Sequence, residues 1–152
     1  ERITRPLMMR NTSFYSFNAP GPAEGALSSP NDLMNFLSML LNKGVFNGKR
    51  ILSEESIAAL RMVRTTPPMM KEYPEAMEGY AYGLGTWVPQ ADADGNGTLL
   101  FGSGLNGTWM SLDFCHGYAS IFFTKGNLKD ENKAIFNKLT DFLAGSYPSD
   151  CH

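Results

Sequence analysis

Residues 98–124 read Thr-Leu-Leu-Phe-Gly-Ser-Gly-Leu-Asn-Gly-Thr-Trp-Met-Ser-Leu-Asp-Phe-Cys-His-Gly-Tyr-Ala-Ser-Ile-Phe-Phe-Thr. Three β-prone runs, Thr98 to Gly102, Thr108 to Phe114 and Tyr118 to Thr124, are separated by short glycine-bearing breaks. That pattern predicts three consecutive strands, with His116-Gly117 turning the last two into an antiparallel hairpin. Gly102, Gly104 and Gly107 fall within six residues. Such a cluster lets backbone approach backbone at a tight strand start, or lets a ligand approach backbone.

Outward from this stretch the pattern changes to helices. Downstream, Ile135, Phe136, Leu139, Phe142 and Leu143 form one apolar stripe, which predicts a helix over about 130–144 packed on the sheet. Upstream, Tyr80 to Val88 is aromatic and β-prone, and its Gly83 and Gly85 imply a bulge or a close backbone approach. Thr65 to Glu78 carries Pro67, Pro68 and Pro74 and reads as a long surface loop. Ser53-Glu54-Glu55 opens a helix carried by Ile57 and Leu60, and Asn47-Gly48 marks a tight reversal. Ser29-Pro30-Asn31-Asp32 starts another helix, with Ser29 as N-cap and Asp32 in the positive first turn. Leu33, Phe36, Leu37, Leu40 and Leu41 then recur at helical spacing up to Gly44. Residues 1–26 read as loop with a short helical start. The fold class is therefore α+β, an antiparallel sheet packed by helices.

A chain of 152 residues has the size of one domain and can bury a core. Its net charge of −2 recommends neither nucleic acid nor an anionic membrane as a partner. No apolar run approaches the ~20 residues of a membrane helix. The charged opening Glu1-Arg2-Ile3-Thr4-Arg5-Pro6 has no signal-peptide character, and Glu1 is expected to be an internal residue of a longer protein. Cys115 and Cys151 have no metal spacing, and both are expected to be free thiols, because pairing would require the tail to fold back onto a strand.

Self-contained nucleophilic catalysis needs an activated Ser or Cys beside a base. The two histidines, His116 in the hairpin and His152 at the terminus, are poorly placed for a triad. No Ser-x-x-Lys occurs, and the glycines flanking Ser103 directly do not form a Gly-x-Ser-x-Gly elbow. Asp92-Ala93-Asp94-Gly95-Asn96-Gly97 matches the opening of a calcium loop, but its twelfth position is Ser103 where a bidentate Glu is needed. A polar turn between strands is expected there, with no metal and no cofactor.

Five motifs, in order, resemble the class C β-lactamase-related and penicillin-binding-protein-like serine hydrolases. Pro6-Leu7-Met8-Met9-Arg10-Asn11-Thr12-Ser13-Phe14 resembles the family's PLGM-x-x-T-x-F, with Met8 where a glycine is usual. Gly25-Ala26-Leu27-Ser28-Ser29-Pro30-Asn31-Asp32-Leu33 with Phe36-Leu37 resembles GGL-x-S-T-x-x-DL-x-x-FL. Asn47-Gly48-Lys49-Arg50-Ile51-Leu52-Ser53 is similar to NGK-x-LLS, and Tyr82-Gly83-Leu84-Gly85-Thr86-Trp87 to YGLGW. The last is Gly102-Ser103-Gly104-Leu105-Asn106-Gly107-Thr108, similar to GH[TS]G-x-x-GT without its basic residue.

The resemblance spans nearly the whole chain and implies that 1–152 is the C-terminal part of a single β-lactamase/transpeptidase-like domain. The family's Ser-x-x-Lys and Tyr-x-Asn lie upstream of this region, and neither motif occurs here. It implies that Ser103, Gly104 and Asn106 contact substrate and that the Leu105 backbone N–H is one oxyanion donor. A small acyl substrate in the intact parent is implied, as is a periplasmic or secreted location. The N-terminal part of the same domain, or a second copy, is expected to cover the exposed strand edge. A non-catalytic binding module on the same scaffold is the alternative.

Overall fold

The computed structural model describes residues 2–14, 25–104, 107–124, 126 and 130–151, with backbone alone at 130–132. A small antiparallel pair, β1 (Ser13–Phe14) with β2 (Ala26–Leu27), precedes helix α1 (Pro30–Leu41). The Ser29 hydroxyl accepts the Asp32 N–H at 3.3 Å, closing the N-terminus of α1 as its sequence requires. Asp32 is buried, and its Oδ2 accepts the Asn11 N–H at 2.8 Å and the Thr12 hydroxyl at 2.7 Å. One carboxylate thus fastens the N-terminal segment to the first turn of α1. Burial opposes its ionisation, but these hydrogen bonds prevail and hold the carboxyl below its usual range.

Gly44, at φ +87, ends the α1 turn with its N–H donated to Met39 O at 2.8 Å. Val45–Phe46 (β3) and Lys49–Arg50 (β4) then form a hairpin. Asn47 and Gly48, at φ 48 and 74, both occupy the left-handed region that this two-residue reversal needs. Helix α2 (Glu54–Arg61) starts on Ser53, whose hydroxyl accepts the Ser56 N–H at 3.2 Å.

The segment read as a surface loop instead holds two 3-10 turns, Pro67–Met69 and Glu75–Met77. Its end is not on the surface: Ala76 and Met77 are 4% and 1% exposed, packed into an aromatic core. Prolines dictated a broken backbone without dictating exposure.

The main sheet has five antiparallel strands in sequential order: β5 (Ala81–Tyr82), β6 (Trp87–Ala91), β7 (Gly97–Gly104), β8 (Thr108–Asp113) and β9 (Tyr118–Phe123). The three strands read from 98–124 are all present. Directly opposed residues share a face, and the register sorts the sheet cleanly. Leu100 and Leu112, with Leu7, Leu37, Leu40 and Ile57, form the core under α1 and α2. Leu99, Phe101 and Trp109 face the other way, toward α3 (Asp130–Ala144). Trp109 is fully buried, 5.2 Å from Phe136 and 4.9 Å from Phe101 between ring centroids. Ser111 and Ser120, opposed on the same face, share a buried hydroxyl contact of 2.6 Å.

Two expectations need correction. First, α3 buries only part of its apolar stripe. Phe136 and Thr140, one turn apart, meet the sheet at 4% and 2% exposure, while Ile135, Leu139 and Phe142 remain 55%, 37% and 72% exposed. Phe136 is the stripe residue that packs, and Thr140 joins it from outside the stripe. Second, Cys115 and Cys151 are disulfide-bonded, with Cα atoms 5.0 Å apart. The tail does fold back: Asp150 N–H donates to Cys115 O at 2.7 Å, and Tyr147 stacks on Tyr118 at 5.3 Å. Met8, where the resembling motif has a glycine, sits at φ +55, a backbone state that favours glycine.

Candidate functional site

The far end of β7 gathers the residues singled out in the sequence. Gly102, Ser103 and Gly104 pair with Met110, Trp109 and Thr108 of β8. On the other flank β6 reaches only as far as Trp87, opposite Phe101. Residues 102–104 therefore run beyond their β6 partner, with a free backbone edge among the described residues. Free N–H and C=O groups on such an edge can accept an extended ligand.

The turn that follows is held tightly. Gly107 N–H donates to Gly104 O at 3.0 Å, and the Thr124 hydroxyl donates to Gly107 O at 2.6 Å. Gly107 is at φ +94, and a Cβ there would lie 2.5 Å from Thr124 Oγ1 and 2.8 Å from Gly126 O. This glycine is therefore required for backbone packing between the β7–β8 turn and the end of β9. Leu105 and Asn106, the expected oxyanion donor and substrate contact, lie outside the described residues.

Ser103 is half-buried and opposed to Trp109, so its side chain leaves the sheet on the α3 side. Gly102 and Gly104 present the opposite face. Beneath Gly102 lies a cavity of about 150 Å³ between α1 and strands β7 and β8. Sequence reasoning missed it, because it is formed by residues distant in sequence: Leu33, Phe36 and Leu37 of α1, with Gly85, Leu100 and Met110. The only signal was glycine at 102, which leaves that wall without a side chain.

The remaining polar groups are elsewhere. Asp113 and His116 lie at the opposite end of β8, where Asp113 Oδ2 and His116 Nδ1 are 2.9 Å apart. Asp113 Oδ1 also accepts the N–H groups of Cys115 and His116 at 3.0 and 2.9 Å, so this carboxylate closes the β8–β9 turn. Nearby Tyr118 donates its hydroxyl to Thr140 O at 3.1 Å. Burial foremost, then the Asp113 carboxylate, pushes its pKa up to about 12. Asp92 closes the β6–β7 turn, its Oδ1 accepting Asn96 N–H at 2.8 Å and Asp94 N–H at 3.0 Å. Both flanks of that turn are strands. No hydroxyl among the described residues is hydrogen-bonded to a His or Lys side chain, and no group of three or more potential metal ligands occurs among them.

No family model and no curated protein matches the sequence. Solved structures do match. A β-lactamase from Mycobacterium bovis superposes with a TM-score of 0.72 at 19% identity, covering 96% of this chain and 54% of that one. A candidate β-lactamase from Bacteroides dorei gives 0.69 at 18% identity, covering 94% of this chain and 49% of that one. A penicillin-binding protein homologue from Caulobacter crescentus gives 0.51 at 15% identity, covering 68% and 28%. The chain spans about half the length of the first two, and it has the α+β fold of the corresponding portion of these β-lactamase-like structures.

Proposed function

We propose that this chain is the C-terminal half of a β-lactamase-like serine hydrolase domain and that it does not turn over substrate alone. The observation that carries the proposal is the open edge at 102–104 on a sheet of β-lactamase-like fold. In this reading the Ser103 hydroxyl and the Leu105 N–H line one wall of the acyl-enzyme cleft, beside Gly104 and Asn106. The nucleophile and its lysine come from the other half, as does the second oxyanion donor. Paired N–H donors stabilise the tetrahedral oxyanion, and one donor is typically worth about 3–4 kcal/mol. Gly102 stands where the family has a basic residue, which disfavours a substrate carboxylate at this point and favours a neutral ester or amide.

The same half supplies the surface partner. The outer flank of β9 has no strand beside it among the described residues, and the exposed Ile135, Leu139 and Phe142 of α3 add an apolar patch. Edges of this kind are usually covered. The remainder of the domain is the proposed cover, and a second copy of this chain is the substitute when it is absent. Size-exclusion chromatography giving a stable monomer of the isolated chain would count against this. An exported location is proposed on the Cys115–Cys151 bond, because such bonds persist in oxidising compartments.

The glycine at 102 also favours a second reading, a binding module that has lost catalysis. Intact-mass analysis of the full-length protein with a fluorescent penicillin or an activated phosphonate separates the two. Covalent labelling of the full-length protein alone supports the hydrolase. Failure to label it supports the binding module.

A further inference from the structure

Residues 148–151 run past the end of α3 and back to the β8–β9 turn, and all of them are exposed. Among the described residues, two polar or covalent ties hold them to the rest of the protein. One is the Asp150 N–H donated to Cys115 O at 2.7 Å, and the other is the Cys115–Cys151 bond. Just before them, Tyr147 lays a half-exposed ring on the buried Tyr118. The body beneath is fastened without the bridge. Asp113 Oδ1 accepts the Cys115 and His116 N–H groups, and its Oδ2 meets His116 Nδ1. The Tyr118 hydroxyl donates to Thr140 O of α3, and β8 pairs with β9 continuously from Thr108↔Phe123 to Asp113↔Tyr118. We propose that the Cys115–Cys151 bond is a redox latch: a dithiol that attacks Cys151 Sγ opens it, freeing residues 148–151 and leaving the β8–β9 turn folded.

Access selects the sulfur. The attacking thiolate has to approach along the sulfur–sulfur axis, and Cys151 is exposed, whereas Cys115 is half-buried in its turn. Attack forms a mixed disulfide on Cys151 Sγ, breaks the Cys115–Cys151 bond and expels Cys115 as a thiolate. The second thiol of the same molecule then displaces Cys151. The dithiol ends as its own disulfide, and its two protons end on the protein's two thiols. Disulfides within reach of solvent are the ones that exchange readily. Once the bond is open, a single hydrogen bond at an exposed site is too little to hold residues 148–151 against the freedom they gain. The latch concerns this tail alone and does not rest on the hydrolase reading, so a protein that fails to acylate leaves it standing.

The test uses the 152-residue chain in the absence of denaturant. Glutathione, a monothiol, traps the first mixed disulfide, and peptide mass mapping after alkylation of free thiols locates it. Dithiothreitol opens the bond fully, and amide hydrogen exchange followed by NMR reads the consequence. The expected adduct is on Cys151, with Cys115 alkylated. With dithiothreitol, the Asp150 amide should lose its protection while the amides across β8 and β9 keep theirs. Exchange into oxidised dithiothreitol should restore the Asp150 protection. A bond that opens only in denaturant overturns the proposal, as does an adduct on Cys115. Protection lost throughout β8 and β9 would make the bond a support of the sheet, and an Asp150 amide still protected after opening would show that the tail stays docked. Either result overturns it, and so does a failure to reclose.

Discussion

Replacing both Cys115 and Cys151 by serine removes the one covalent link between the C-terminal tail and the β8–β9 turn. The bond closes a sequence separation of 36 residues. Chain-entropy arithmetic for a loop of that length gives about 3.8 kcal/mol of stability, exerted chiefly through the unfolded state. For a domain of this size that corresponds to a fall in Tm of about 12 °C. The double substitution avoids a lone reactive thiol and leaves the Asp150–Cys115 backbone bond and the Tyr118–Tyr147 stack free to form. Thermal unfolding followed by circular dichroism, with and without a phosphine reductant, reads the effect. Wild-type protein should lose about the same Tm on reduction, and the C115S/C151S protein should be indifferent to the reductant. Two titratable thiols in the unreduced, denatured wild type would refute the reasoning at its root. A Tm of the double variant within about 2 °C of wild type would show that the bond constrains nothing that matters.

Met8→Gly should stabilise by about 1 kcal/mol in chemical denaturation, because it relieves a left-handed methionine whose side chain is nearly half exposed, less the cost of a freer unfolded chain. Gly107→Ala should destabilise by roughly 2 kcal/mol or more, since both φ and the approach of Thr124 and Gly126 oppose a Cβ. Tyr118 should ionise near pH 12 rather than 10 in an ultraviolet titration. Because the folded state holds that proton more tightly, stability falls as pH rises from about 10 to 12, and Tyr118→Phe removes this part of the alkaline loss. For Asp32, whose carboxyl is held below its usual range, the sign is opposite: its contribution is present above about pH 4 and is lost as pH falls through the depressed folded value. Asp32→Asn should flatten that acid limb in pH-dependent unfolding.

Local chemistry was legible wherever one residue type decides a backbone state. Ser29 and Ser53 announced helix starts, Asn47-Gly48 announced the hairpin, and the alternation from 98 to 124 announced three strands. What the sequence could not convey was rotation and distance. The periodicity of α3 located the helix, but of its stripe only Phe136 stacks on Trp109, with Thr140 buried beside it while Ile135 and Leu139 stay exposed. The disulfide was hidden because nothing in 36 residues of spacing tells where a tail returns. Met8 is the instructive case. The motif it resembles has a glycine there, and Met8 occupies a left-handed backbone state that favours glycine. At the site, the sequence located residues 102–104 on a strand. Only the register revealed that Ser103 and Gly102 leave that strand in opposite directions.

If the chain is half of a domain, as proposed, that division constrains how the other half would meet it. The two open surfaces are not adjacent. One is the outer flank of β9 with the apolar patch on α3. The other is the edge of β7 at 102–104, which opens toward β6, with β8 lying between β7 and β9. A second copy of this chain pairing along β9 would satisfy the first and leave the second bare. On the hydrolase proposal, a catalytic complement would have to reach both, with one segment beside β9 and another carrying the nucleophile to the β6 side of residues 102–104. A homodimer that forms through β9 but never acylates is therefore the expected behaviour of the isolated chain, and it is not evidence for a degenerate scaffold. A longer protein is the discriminating sample, because on the hydrolase proposal only there would the edge at 102–104 meet a nucleophile.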